Sequence, residues 1–442
     1  MKNSALLAGL IVFALCLAGC KPETPKVVSV DISVQLYSEG APLAIEGVPV
    51  TLSNSEATVS FNGITDATGS ASFNVSPGSY TASTTYKTVE DGIRIVLNGS
   101  NSLILVTEAP SAPFRIDLQK VQSQQLIIKE LYTGGCPLND NSNYTRNDHY
   151  VIIYNNSEFE ADASDLVFGA ISPYNAHSNN NKYYVSGGLV YENENWLPAG
   201  GAMWYFPNEV KIPAYSQIVI AIFAAIDHTA TVSASVNLSD PSYYWMANTS
   251  IPAFTHQKHA VSESIPKDHY LYGYQINQQT AWTLSDSSPA FFIAKMKHSE
   301  LEALCTNTSA YDFTGGATAI GWAVKLPKAN VIGAVEVFAA ANLATSHPRF
   351  TSDVNTGYVV MTVGKGRSAY RNVDKEATEA LPENAGKLVY NYSLGTADEG
   401  GSTDPSGIDA EASIAAGAHI IYSQTNDSGK DFHQRKIVSL KK

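Results

Sequence analysis

Two hydrophobic rhythms divide the chain. From Val28 onward apolar and polar residues alternate: Val28, Val30, Ile32, Val34 and Leu36 interleave with Ser29, Asp31, Ser33 and Gln35. A period of two predicts a strand with one buried face. The pattern returns at Gly47 to Leu52, Ala71 to Val75 and Tyr80 to Ser83, with turn-forming runs at Thr65 to Gly69 and Ser76 to Ser79. At Leu126 the alternation stops. Leu126 to Tyr132 is apolar apart from Lys129 and Glu130, and Tyr150-Val151-Ile152-Ile153-Tyr154 has no charged or amide position. Such runs predict strands covered on both faces. Gly134-Gly135-Cys136-Pro137 and the polar run from Asn139 to Asn147 lie between them and predict a surface loop.

Helical spacing is scarce. The best candidate is Ser299 to Leu304, with Ser299 placed to cap it. Leu381 to Ser413 reads as a long irregular excursion before a final strand at Ala418 to Tyr422. The polar residues Lys120 to Gln125 read as a connector, which sets domains at 28–119 and 124–442.

The first twenty residues are an address. Lys2 gives a positive start, Ala5 to Leu17 an apolar stretch, and Leu17-Ala18-Gly19-Cys20 the small residues that a lipoprotein signal peptidase requires. Lipid on Cys20 is expected to tether the chain to a membrane without crossing it, through the short proline-containing segment 21–27. The longest later apolar run, Ile218 to Ile226, is strand-sized.

Two resemblances follow from residues in a fixed order. G-V-x-V-x-L from Gly47, T-D-x-x-G from Thr65 and F-x-V-x-P-G-x-Y from Phe73 resemble the carboxypeptidase regulatory-like, or prealbumin-like, β-sandwich, a module that usually serves as a spacer or docking element. Glu130-Leu131-Tyr132, a Gly-rich loop and then D-x-Y-x-x-I-Y-N-N-S from Asp148 to Ser157 resemble a lamin-tail-like strand pair. That pair is found in an uncharacterised lipoprotein family of Bacteroidetes, domain of unknown function 4876. Ile218 to Ala221, Asp227-His228, Val236 to Ser239 and Thr425 to Ser428 with Asp431-Phe432 agree in order. The resemblance implies an all-β chain, an N-terminal β-sandwich followed by a larger β-sandwich-like domain with long loops. It also implies lipid anchoring at the cell outer membrane, facing the periplasm or the surface, and a place beside an outer-membrane transporter or a surface ligand.

Charge narrows the partners. The net charge of -13 and a pI near 5.2 argue against nucleic acid, which needs a basic patch. Chemistry is sparse. After Cys16 and Cys20, Cys136 and Cys305 either form a disulfide, as an oxidising compartment allows, or stand as separate thiols. His256, His259 and His269 form a weak metal candidate, but their spacing fits no zinc pattern and solvated loop histidines are favoured. Gly364-Lys365-Gly366-Arg367 lacks the ending of a phosphate loop and reads as a turn. Glu192 and Glu194, on one side of one strand, cannot flank a sugar bond. No cofactor is expected. The aromatics of the Asn-rich segments are the ligand-binding candidates, chiefly Trp196, Trp245, Tyr183, Tyr184 and Tyr244, against a structural role as pins for long loops. The expectation is a non-enzymatic envelope lipoprotein that recognises a ligand or docks on a membrane partner. A structural or adhesive surface protein is the alternative, and a hydrolase with a dispersed site comes last.

Overall fold

The computed structural model describes residues 29–54, 59–248, 250–251, 262–276, 282–316 and 321–441. Cys20, His256 and His259 lie outside the described residues. The chain is all-β and divides into two compact units, one of residues up to 88 with 95–121, the other of 89–94 with 122–442.

The first unit is an eight-stranded sheet system. Its path runs Ala41–Pro42, Val30–Ser38, Phe114–Gln124, Ile93–Val106, Gly78–Glu90, Pro49–Asn54, Val59–Ile64, and Ser70–Val75 pairs with residues 30–35 of Val30–Ser38. Val30–Ser38 runs parallel to Phe114–Gln124 and antiparallel to Ser70–Val75. The alternation read from sequence sorts the faces: Val30, Ile32, Val34 and Leu36 are buried with Ala71, Phe73 and Val75, while Asp31 and Asn74 meet outside in a 2.6 Å hydrogen bond. Residues 120–124, read as connector, complete the strand Phe114–Gln124.

The second unit is built on one long mixed sheet. Its path is Val359–Met361, Val331–Ala339, Ala290–Lys295, Leu166–Ile171, Trp196–Tyr205, Tyr270–Gln275, Tyr244–Met246, Gln217–Ala221, Tyr150–Asn155, Leu126–Tyr132, Ser368–Arg371, Phe432–Arg435. A single buried cluster takes side chains from all twelve, among them Val359, Val337, Ile293, Phe168, Trp204, Leu271, Met246, Ile220, Val151, Ile128, Ala369 and Phe432. The two ends of the path meet, because Thr362 N donates to Gln434 Oε1 at 2.6 Å. The sheet therefore rolls around its core and leaves a seam. Strand twist accumulates in one sense, and register shifts at Ile152/Ile153, Phe168/Ala170 and Ile293/Ala294 add local bending. Gly273 lets the barrel close tightly, since a Cβ there would stand 2.8 Å from the Trp204 ring.

The outer faces are covered too. Ile127, Tyr154 and Tyr370 pack under Val373, Ile408, Ile420 and Tyr422 of the excursion. Tyr150, Ile152 and Trp245 pack with Val236 and Leu238. Met203, Phe292 and Tyr191 pack under the helix His298–Thr306 through Leu301 and Cys305. Double coverage is why Tyr150 to Tyr154 has no solvent-facing position. Two local expectations change. The helix starts one residue earlier, with Lys297 as N-cap and its N–H donating to Glu300 Oε2 at 3.3 Å, so Ser299 is not the cap. Ala418 to Tyr422 joins no ladder beyond a Val373 to Tyr422 bridge, because side chains satisfy its main chain. Tyr154 Oη donates to Ile420 O, Ile421 N to Thr378 Oγ1, and Tyr422 N to Asn156 Oδ1.

Candidate functional site

A cleft in the second unit opens beside two neighbouring strands of the rolled sheet, next to the register shift between Phe168 and Ala170. Leu166–Ile171 ends at a cis Ser172-Pro173 peptide, and Trp196–Tyr205 bends at Gly200-Gly201, with Gly201 at φ +75°. A Cβ on Gly200 would stand 2.2 Å from Ser172 Oγ, and one on Gly201 3.2 Å from Trp282 Nε1, so these two glycines keep the wall thin. The cavity between them is about 150 Å³. Ile171, Pro173, Leu284 and the rings of Tyr174, Tyr183 and Trp282 give it apolar surface; Ser172, Asn180, Lys182, Thr283 and Ser285 add polar groups.

Its walls are fixed from behind. Tyr183 Oη donates to Asp312 Oδ2 at 2.7 Å, and burial together with that carboxylate raises the phenol far above its ordinary range, so it stays a neutral donor. Tyr174 Oη donates to Leu284 O at 2.9 Å. Asn175 Oδ1 accepts from Ser285 Oγ, and Ala176 N donates to Ser288 Oγ. Behind this loop Arg349 is fully buried: its Nε donates to Glu336 Oε1 at 3.0 Å, and its Nη1 donates to Pro173 O at 3.1 Å and Tyr174 O at 3.3 Å. Burial raises the Glu336 carboxyl and the guanidinium opposes that rise. Among the described residues the lining contains no histidine, carboxylate or thiol.

Of the aromatics singled out from sequence, Tyr183 alone enters this lining. Trp245 is a correction. It is 1% exposed, donates from Nε1 to Phe223 O and packs edge-on against Tyr270, because it lies within the strand Tyr244–Met246 and not in a polar loop. Trp196 opens the strand Trp196–Tyr205, half-buried against Tyr191, with Lys325 Nζ 5.2 Å above its ring. Tyr184 stacks on His347 at 4.2 Å and donates to Gly187 O. Tyr244 stacks on His269 at 4.4 Å, and His269 Nδ1 is 3.0 Å from Tyr243 O, which occupies that histidine locally. Among the described residues no group of three His, Cys, Asp or Glu is arranged to hold a metal.

Of the two readings for the cysteines, the structure has separate thiols and no disulfide. Cys136 and Cys305 are free, buried thiols in different surroundings. Cys136 Sγ lies 3.7 Å from Asp148 Oδ2, which also accepts from Tyr132 Oη and Ser235 Oγ, and Cys305 Sγ lies 3.9 Å from Met203 Sδ beneath the helix. Burial raises the two thiols to about 11 and about 12. In the glycine turn, Gly364 N and Gly366 N donate to Gly134 O and Gly135 O, so these amides tie two loops together and are not turned toward a phosphate.

Three residues that line or brace the pocket carry no local signal in the sequence. Trp282 and Tyr174 sit among Gln, Thr, Ser and Asn without periodicity, and nothing in His347-Pro348-Arg349-Phe350 marks a buried cation.

Fold and site together define a two-unit all-β protein whose larger unit is a rolled sheet with a ring-sized cleft. The family model described as "Protein of unknown function (DUF4876)" matches residues 215–393. Among solved structures, the chain is similar to a DUF4876 family protein from Bacteroides thetaiotaomicron VPI-5482. The two share 16% identity and a TM-score of 0.59, over 91% of this chain and 94% of that one, which shows a shared fold. Weaker similarities are to a DUF3823 family protein from Parabacteroides merdae ATCC 43184 (13% identity, 33% of this chain and 66% of that one, TM-score 0.16) and the major pilin subunit of Bacillus cereus (10% identity, 43% and 52%, TM-score 0.17). No curated protein matches the chain.

Proposed function

We propose that this is a non-enzymatic recognition lipoprotein of the cell envelope, tethered through lipid on Cys20. Its second unit takes the terminal ring of a saccharide into the cleft beside Tyr174, Tyr183 and Trp282. The cleft carries the reading. A cavity of about 150 Å³ suits one six-membered ring, the size of cavity that holds a benzene in other proteins, and a lining that mixes rings with amide, hydroxyl and ammonium groups suits a ring bearing hydroxyls better than a hydrocarbon. Its walls are held before any ligand arrives, which lowers the ordering cost of binding. In this reading the first unit, by its resemblance to the carboxypeptidase regulatory-like sandwich, is a spacer, and an outer-membrane transporter or surface glycan is the partner class.

The test is titration of the purified chain with a panel of mono- and oligosaccharides, followed by tryptophan fluorescence and calorimetry. Tyr174→Ala, half-exposed at the rim, should weaken binding by about 2 kcal/mol if it is a contact residue, with the melting temperature kept. A panel in which nothing binds, or in which Tyr174→Ala and Lys182→Ala bind like the parent, removes the saccharide reading.

A further inference from the structure

Polar surface continues past the rim of the cleft. Tyr174, 46% exposed there, donates from Oη to Leu284 O at 2.9 Å, which ties its ring to the segment that runs on through the lining residue Ser285 to Asp286. Asp286 Oδ2 is 3.4 Å from Arg146 Nε, the carboxylate side chain 15% exposed and the arginine side chain 50%. The guanidinium in turn stands 4.8 Å above the ring of Tyr144. Burial pushes the Tyr174 phenol up to about 12, and Asp286, Arg146 and Tyr144 each act on it, which places the three beside the rim.

This stack is built before any ligand arrives. A Cβ on Gly364 would stand 3.0 Å from the Tyr144 ring and one on Gly135 3.1 Å, and both glycines hold a positive φ, so the ring is seated against two turns that only glycine makes at this distance. Gly364 N donates to Gly134 O at 2.8 Å and Gly366 N to Gly135 O at 2.8 Å, which locks the turns to each other. Arg146 is then held by the ring on one face and by Asp286 at its edge, and its half exposure leaves N–H donors toward solvent.

The pairing decides the chemistry. Asp286 offsets the charge of Arg146, so the surface gains little from a phosphate or a carboxylate. Guanidinium donors beside carboxylate acceptors instead match sugar hydroxyls, each of which donates and accepts. The cavity of about 150 Å³ has room for one ring, so any further ring of a bound chain must lie outside it. We propose, resting on the saccharide reading of the cleft, that the ligand is a neutral oligosaccharide and not a monosaccharide. Its terminal ring fills the cleft, and the next ring passes Tyr174 and bonds through its hydroxyls to Arg146 and Asp286.

The probes are neutral gluco-, manno-, galacto- and xylo-oligosaccharides, each offered to the intact chain as the monosaccharide, the disaccharide and the trisaccharide, with affinity read by calorimetry. In a series that binds, the disaccharide should bind about tenfold more tightly than its monosaccharide. Arg146→Ala should erase that gain, a loss of about tenfold for the disaccharide, and leave the monosaccharide unchanged. Arg146→Lys keeps the charge and loses the planar fork, so it should also hold the disaccharide no better than the monosaccharide, and it decides alone should Arg146→Ala fail to fold. No binding at any length removes the cleft reading and this inference together. A monosaccharide that binds as tightly as its longer chains, or Arg146 variants that weaken every length alike, overturns the second subsite while the cleft reading stands. A uronic acid disaccharide preferred over the neutral one, with the preference lost in salt, overturns the neutral class.

Discussion

Arg349 and Glu336 form an ion pair with no solvent access to the arginine and 1% exposure of the glutamate, and the arginine's remaining nitrogen holds the carbonyls of Pro173 and Tyr174. One guanidinium thus couples the sheet strand Val331–Ala339 to the loop that walls the cleft. Removing it leaves a carboxylate buried without its counter-charge. Arg349→Met should cost about 3 to 5 kcal/mol in urea unfolding of the second unit, and Glu336→Gln, which keeps a hydrogen-bonding oxygen, should cost less. Equal effects would mean that the charge of Glu336 matters as much as the guanidinium it faces.

His433 predicts a pH dependence. It is fully buried, its Nδ1 donating to Asn372 Oδ1 at 2.7 Å and its Nε2 accepting from Tyr392 Oη at 2.5 Å, so the neutral ring is satisfied on both nitrogens. Burial and then the nearby Arg435 lower it from 6.5 to about 3. Below about pH 6.5 the unfolded chain takes up a proton that the folded chain refuses, so stability falls from there down to about pH 3. His433→Gln should flatten that part of the stability profile relative to the parent while leaving the slope above pH 7 alone. Identical slopes in the acid window would show that carboxylates alone set it.

The two thiols give a chemical prediction. Because Cys136 and Cys305 are buried, unpaired and raised in pKa, iodoacetamide should modify neither in the folded chain at neutral pH, and both after denaturation without reductant. A denatured, unreduced chain that fails to react would reveal a disulfide.

Trp245 and Trp196 separate by burial. Trp245→Ala should cost about 3 to 5 kcal/mol, since it empties a core site and frees the Phe223 carbonyl that its indole N–H occupies. Trp196→Ala, half-buried at the start of its strand, should melt much closer to the parent. Comparable melting of both variants would contradict the packing described.

The sequence by itself determined the elements whose identity depends on local pattern. Alternation from Val30 to Leu36 gave the one-sided strands of the first unit, and the unbroken apolar run Tyr150 to Tyr154 gave a strand covered on both faces. Those signals are legible because strand faces repeat every two residues and each residue's burial follows from its neighbours. The tertiary structure alone decided the rest. That the two ends of the sheet meet at Thr362 and Gln434 depends on twist summed over the whole strand path, which no window of sequence contains. Trp245, flanked by Tyr243, Tyr244 and Asn248, reads as a loop aromatic, yet strands on both sides bury it. The cleft gathers Tyr174, Tyr183, Gly201 and Trp282 from segments far apart in sequence, and Arg349 behind it finds its partners only when Glu336 and Pro173 are brought beside it. A non-periodic residue carries no local record of the surface it will meet, so its role appears when the chain closes on itself.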